Sequence, residues 1–308
     1  MLRYIIGRIL LIIPSLIVVI FIIFVILNIT PGDPARSILG FTAEPEEVAA
    51  LNKELGLDKP LMERFVNYLV DAVHLDFGWS YRTQAPVFDG IFSQFPTTFK
   101  LAVLAVITAS LIGIPLGIIS AIRQYSVFDY TLTVSSLFLA SVPGFFLGLL
   151  LILTFSLRLG LLPSSGIGSA RHYILPVLTL ALHSAALLAR MTRTSMLETL
   201  RQDYIRTAKS KGADKRRIIL HHALKPALMP IITMLGMNFA GLLGGALIIE
   251  IVFGLPGIGS IIITSIYNKD APVILAVSIL MVVTYKLIML AVDIIQVLID
   301  PRLKSQLR

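Results

Sequence analysis

The chain has 308 residues, 56% of them hydrophobic and 14% charged, with a mean hydropathy of +0.88. Soluble domains carry about 25% charged and roughly 45–50% apolar residues, so this composition excludes a disordered chain and a small disulfide scaffold and points to a polytopic membrane protein. Cysteine is absent, which excludes thiol nucleophiles, Cys-based zinc sites and iron–sulfur clusters.

A membrane span needs about 20 predominantly apolar residues. Six stretches qualify in chain order: residues 9–29, 98–121, 133–157, 173–189, 230–251 and 273–298. The first follows Arg3 and Arg8 and is longer than the roughly 7–15 apolar residues of a secretory signal, so it reads as a retained anchor. The fourth is short and contains Pro176 and His183. The sixth contains Lys286 and Asp293, so its end is expected among the headgroups.

Segment 30–97, between the first two spans, is too rich in apolar residues for a bare linker. Residues 46–55 and 61–75 have helical spacing, with Leu61, Phe65, Leu69 and Val73 at four-residue steps. Pro45 and Pro60 precede the two helices as start signals. The expectation is a small helical cap, serving as a lid or as part of a docking surface for a delivering protein.

Segment 190–226 holds ten basic residues against three acidic ones (Glu198, Asp203, Asp214), whereas segment 30–97 holds ten acids against five bases. Lys/Arg bias places basic loops on the cytoplasmic side. Six spans then put both termini, the tail 301–308 and the 190–226 loop inside, with 30–97 outside. The formal charge of +8 is therefore mostly topology rather than a footprint for nucleic acid.

Within that loop Leu197, Leu200, Tyr204 and Ala208 fall at helical intervals, Gly212 interrupts, and Asp214 is placed to cap a second helix carrying Ile218, Ile219, Ala223 and Leu224. Ala208 and Gly212, four apart, are expected to share one small face. The pattern suits a basic amphipathic hairpin on anionic headgroups, or a docking element that another protein approaches closely. GxxxG pairs at Gly113/Gly117, Gly144/Gly148 and Gly241/Gly245 allow close helix contact in lipid. Glu250 and Lys286 are the ionisable residues nearest membrane depth and are functional candidates on that ground, although Glu250, close to a span end, also fits the headgroup level.

Catalytic motifs are missing. The sequence has no GxxxxGK[ST] loop, no HExxH, no GxSxG elbow, and its five histidines form no ligand pattern. Nothing in it reads as an enzyme.

Arg206-Thr207-Ala208, three residues and Gly212 resemble the EAA-x3-G loop of ABC importer permeases. The wider stretch from Met191 to Leu224 is similar to the dipeptide/oligopeptide subfamily. Pro31-Gly-Asp-Pro34, Leu55-Gly-Leu-Asp-Lys-Pro60, Phe253-Gly-Leu-Pro-Gly-Ile-Gly259 and the closing Val292-Asp293 … Asp300-Pro-Arg302 agree with it. Arg206 replaces the eponymous Glu, His222 stands where the general pattern has Ile, and Pro226 comes one residue late, departures that weigh against sugar-type permeases. The resemblance implies an all-α permease with six spans in a bacterial inner membrane, no cofactor of its own, and import of peptides or similar small solutes. It implies a homologous permease, two cytoplasmic ABC ATPases and an extracytoplasmic binding protein as partners. Coupling to the ATPases would fall to Tyr204, Ile205, Arg206, Thr207, Ala208, Lys209, Lys211 and Gly212. The alternative is a stand-alone secondary transporter driven by an ion gradient, which predicts inverted repeats and ionisable groups at the midplane. The domains expected are an anchor (1–29), the outer segment (30–97), a permease core (98–300) and the tail (301–308).

Overall fold

Apolar runs of this length, with every backbone N–H and C=O needing an internal partner in lipid, leave the helix as the available element. The structure, a computed structural model, describes residues 2–30, 34–40 and 42–299. The tail 301–308 and residues 31–33 of the first motif block lie outside the described residues. Among those described there is no strand, only an isolated antiparallel bridge between Trp79 and Pro86.

Thirteen α-helices are described: α1 (Leu2–Ile29), α2 (Pro34–Leu39), α3 (Pro45–Glu54), α4 (Leu61–Val73), α5 (Val87–Ile122), α6 (Val127–Ser141), α7 (Gly144–Leu151), α8 (Ile174–Leu200), α9 (Asp203–Ser210), α10 (Lys215–Arg217), α11 (Leu224–Val252), α12 (Ile258–Tyr267) and α13 (Ala271–Ile299). Five helical segments are long and apolar enough to cross a membrane, and a sixth arises if α6 and α7 count as one broken span. The expectation of six spans is met on that count. The third was read as one apolar span over 133–157. It bends by 101° between Ser141 and Gly144. The reason is local: Pro143 lacks an N–H and pushes the preceding Val142 out of the helical region, to φ −78° and ψ 126°.

Two compact units divide the chain. One comprises Leu2–Thr98 with Pro256–Lys286. In it Phe65 of α4 packs on Phe21 and Phe24 of α1 in edge-to-face contacts, with centroids 5.1 and 5.6 Å apart. The Asp270 carboxylate closes the turn before α5. It accepts the Ser80 hydroxyl at 2.5 Å and the Tyr81 and Arg82 amides at 3.1 and 3.4 Å. Helix α5 begins at Val87 and runs on through the span read at 98–121, and α12 is a short helix that the sequence reading did not separate from its flanking loops.

The other unit runs from Phe99 to Leu255 and resumes at Leu287. Its hub is α8, whose apolar window is 61% buried against 11% for the first span. Small residues make this close packing possible. A β-carbon on Gly117 would lie 2.5 Å from the Ala189 carbonyl oxygen and 2.6 Å from Thr192 Cβ, and one on Gly113 would lie 2.7 Å from the Ala185 carbonyl. A β-carbon on Gly148 would lie 3.2 Å from the Phe253 ring. Gly241, by contrast, has open space around it. Gly117→Ala should therefore destabilise the purified protein by about 1–3 kcal/mol through overpacking, read as a lower melting temperature. Gly241→Ala should be neutral or should stabilise it by up to ~1 kcal/mol.

Candidate functional site

The basic segment forms a helix, a glycine turn and a second helix, built from local signals. Gln202 sits in extended backbone (φ −71°, ψ 150°) and breaks the chain between α8 and α9. The expected single periodicity through Leu197, Leu200, Tyr204 and Ala208 is thus interrupted at Arg201–Gln202, and the inward position in α9 passes to Ile205. Helix α9 closes in a Schellman turn. Gly212 has φ +77°, its N–H bonds the Lys209 carbonyl at 2.9 Å, and the Ala213 N–H bonds the Ala208 carbonyl at 3.1 Å. Gly212 therefore lies beyond the helix and does not share a face with Ala208, contrary to expectation. Its role is conformational, since positive φ costs glycine little. Asp214 caps the next helix as expected, accepting the Arg216 amide at 3.1 Å. A π-helical turn at Ile218–Ala223 leads on to α11.

The two sides of α9 differ in kind. Ile205 is fully buried and packs in a cluster with Ala121 of α5, Leu188 and Met196 of α8, and Ala227 and Ile231 of α11. Burying an isoleucine contributes about 1.5–3 kcal/mol, so this side chain seats α9 on three long helices and does not face a partner. Ala208 is half-buried on the same side. Tyr204, Arg206, Thr207, Lys209, Lys211 and Gly212 are exposed. Asp203 and Arg206 approach at 3.5 Å, but with side-chain exposures of 94% and 81% the contact is worth little. Partial desolvation pushes the Tyr204 phenol pKa up. The exposed surface offers cations and a phenol, which suits an acidic groove.

The sequence reading missed the polar centre behind this element. Arg193, counted there among loop cations, lies within α8 and makes a bidentate pair with Asp129 at the start of α6, at 2.5 and 2.8 Å. Asp129 also accepts the Ser120 hydroxyl from α5 and the Tyr125 amide at 2.9 Å. Its own amide bonds the N-cap Ser126 hydroxyl at 3.2 Å. The carboxylate is 3% exposed, so every lone pair it turns inward needs these donors. One signal was available in the sequence, an acidic residue near the start of an apolar run, but not its partner.

Glu250 is 0% exposed, in the last turn of α11 beside the Ile249–Phe253 cluster. Lys286 is half-buried in the middle of α13. The structure does not bring either residue into the α9 element. Among the described residues no group of His, Asp and Glu side chains could hold a metal ion.

The arrangement is that of a transport permease rather than a catalyst, and comparison with known proteins gives its family. Residues 113–305 match the family described as "Binding-protein-dependent transport system inner membrane component", and residues 1–102 match its N-terminal component. The chain belongs to this family and is a permease of an ABC-type importer, a multi-pass membrane protein that is not itself catalytic. It is 40% identical over 307 residues to the glutathione transport system permease protein GsiC of Escherichia coli K12, across 99% of each chain, and equally to that of Shigella dysenteriae serotype 1. The fold is similar to a chain of the inward-facing MetNI methionine ABC transporter (TM-score 0.58, 21% identity, covering 68% of this chain and 96% of that one). It is also similar to an amino acid ABC transporter solved with histidines (TM-score 0.53, 19% identity, covering 67% and 92%). The ion-gradient alternative is set aside by this membership.

Removing one member of a buried ion pair leaves the other charge uncompensated, at a cost of about 3–5 kcal/mol. Asp129→Ala and Arg193→Ala should each lower the melting temperature sharply, while the double variant should lose much less than the sum of the two. Additive losses in that cycle would show that the two side chains do not act as a pair.

Proposed function

We propose that this permease pairs with a homologous permease and two cytoplasmic ABC ATPases, and takes a small peptide-like solute from an extracytoplasmic binding protein. Glutathione is the first cargo to test, because the relatives 40% identical over the full length are named glutathione permeases. The single observation that carries the coupling role is the two-sided build of α9, with Ile205 anchored in the body of the protein and the opposite side cationic and exposed. A helix held in this way and pushed by an ATPase would displace α5, α8 and α11 together. The Lys/Arg bias supports a bacterial inner-membrane orientation with both termini and α9 in the cytoplasm. No cofactor is assigned to this chain. ATP would be bound and hydrolysed by the partners, since the sequence has no phosphate-cradling loop.

The coupling test reverses charge on the exposed side only. Arg206→Glu combined with Lys209→Glu should abolish solute uptake and ATPase recovery at unchanged membrane abundance, because α9's own packing is untouched. Normal uptake with normal ATPase recovery would refute the assignment. Orientation has a separate check, made simple by the absence of cysteine. Thr42→Cys should react with an impermeant thiol reagent in intact cells, and reaction only after the cells are broken would reverse the topology.

A further inference from the structure

We propose that α4 is not part of an aqueous cap but an interfacial helix, with one face immersed in the acyl chains of the leaflet at the C-terminal end of α1. The first argument is depth. The apolar span of α1 is Leu10–Ile29, and α4 packs on its interior: Phe65 contacts Phe21 and Phe24 at centroid distances of 5.1 and 5.6 Å. At 1.5 Å per residue these two rings lie roughly 12 and 8 Å below the end of the span, within a leaflet of ~15 Å. A second landmark agrees. The same cluster contains Leu275, in the second turn of α13, another membrane-length helix.

The second argument is the distribution of side chains around α4. At 3.6 residues per turn, Leu61, Phe65, Tyr68 and Leu69 share the face turned to α1. Met62, Val66, Val70 and Val73 occupy the adjoining face and are left exposed, at 59%, 53%, 53% and 80%. Glu63, Asn67, Asp71 and His74 fill the remaining arc. The apolar sector is thus about twice as wide as its packing against α1 requires. An apolar face of this width, opposite a compact polar arc, is the signature of a helix lying in a membrane interface.

The third argument separates lipid from protein as the occupant. The exposed stripe holds Met62 and three valines, without the Tyr, Trp or Arg anchors that dominate binding hot spots. The Phe65 contacts put α4 beside the stretch of α1 that itself exposes Ile22, Ile26 and Ile29, at 51%, 56% and 74%, so lipid that reaches those residues reaches α4. Polar partners hold the helix at this height. The Arg64 guanidinium, on the edge of the polar arc, donates to Asn28 Oδ1 at 2.8 Å near the end of the α1 span. The delivering protein would then meet the polar arc, not the apolar stripe.

The experiment uses the full chain in its assembled complex, reconstituted in lipid, with a small fluorophore on single cysteines at Val66, Val70, Asn67 and Asp71. Variants are compared at matched yield of assembled complex. Lipids brominated along the acyl chain should quench Val66→Cys and Val70→Cys severalfold more than Asn67→Cys and Asp71→Cys, and aqueous iodide should show the reverse order. Equal iodide access at all four positions would put α4 in water and overturn the proposal. Protection of positions 66 and 70 from both quenchers would show a protein covering the stripe, and would overturn it equally.

Discussion

The Asp129 carboxylate is the constraint on which the Phe99–Leu255 unit is organised. A charge this buried is tolerated only when its oxygens are satisfied by donors of good geometry, and those donors come from separate elements. Ser120 belongs to the end of α5, Tyr125 to the turn after it, and Arg193 to α8. Satisfying one carboxylate therefore fixes where α5 ends, how the chain turns into α6, and which rotation of α8 is allowed. Arg193 lies two turns before the end of α8, and α9 follows directly, so the same pair sets the base on which the cationic helix stands.

Around that polar point the packing is made from small side chains. Lipid provides no hydrophobic drive between helices, so association rests on close approach and van der Waals contact. Gly113 and Gly117 on α5 face Ala185 and Ala189 on α8, leaving no room for a β-carbon. Helix α8 buries a run of Ala, Ser and Thr along the same face, including Ser184, Thr192 and Ser195. Large side chains are kept for the places where an element must be seated, as Ile205 is beneath α9 and Phe253 is against Gly148.

What the sequence disclosed, and what it did not, follows from the range of the interactions involved. Local chemistry was legible: apolar runs gave the spans, Asp214 was recognised as a cap, and Gly212 as the break in the basic loop. These depend on neighbours within a few residues. The bend at Val142–Pro143 was written in the same local code, yet the apolar character of the whole stretch masked it. The pairing of Arg193 with Asp129 joins residues 64 apart in the chain, and a count of loop cations assigns such an arginine to the surface. The burial of Glu250 was not legible for a related reason, since position along a span does not say which way a side chain faces. The inward turn of Ile205 depended on a helix break at Gln202, a residue type with no strong breaking tendency, so periodicity alone ran through it.

On the proposed coupling role, the two-sided build of α9 gives a reason for a transport permease to keep a short helix between α8 and α11. An element that must pass on a push needs one surface that a partner recognises and another that does not slip. Exposed cations provide recognition and encounter, and they contribute little to folding, because exposed ion pairs are weak. Burial of Ile205 among residues of α5, α8 and α11 provides the grip, and dense packing transmits displacement instead of absorbing it. The Schellman turn at Gly212 and the cap at Asp214 then fix the second end of α9 to α10 and the π-helical turn leading into α11. Held at both ends and seated from below, α9 is tied to α5, α8 and α11, as the proposed coupling role requires.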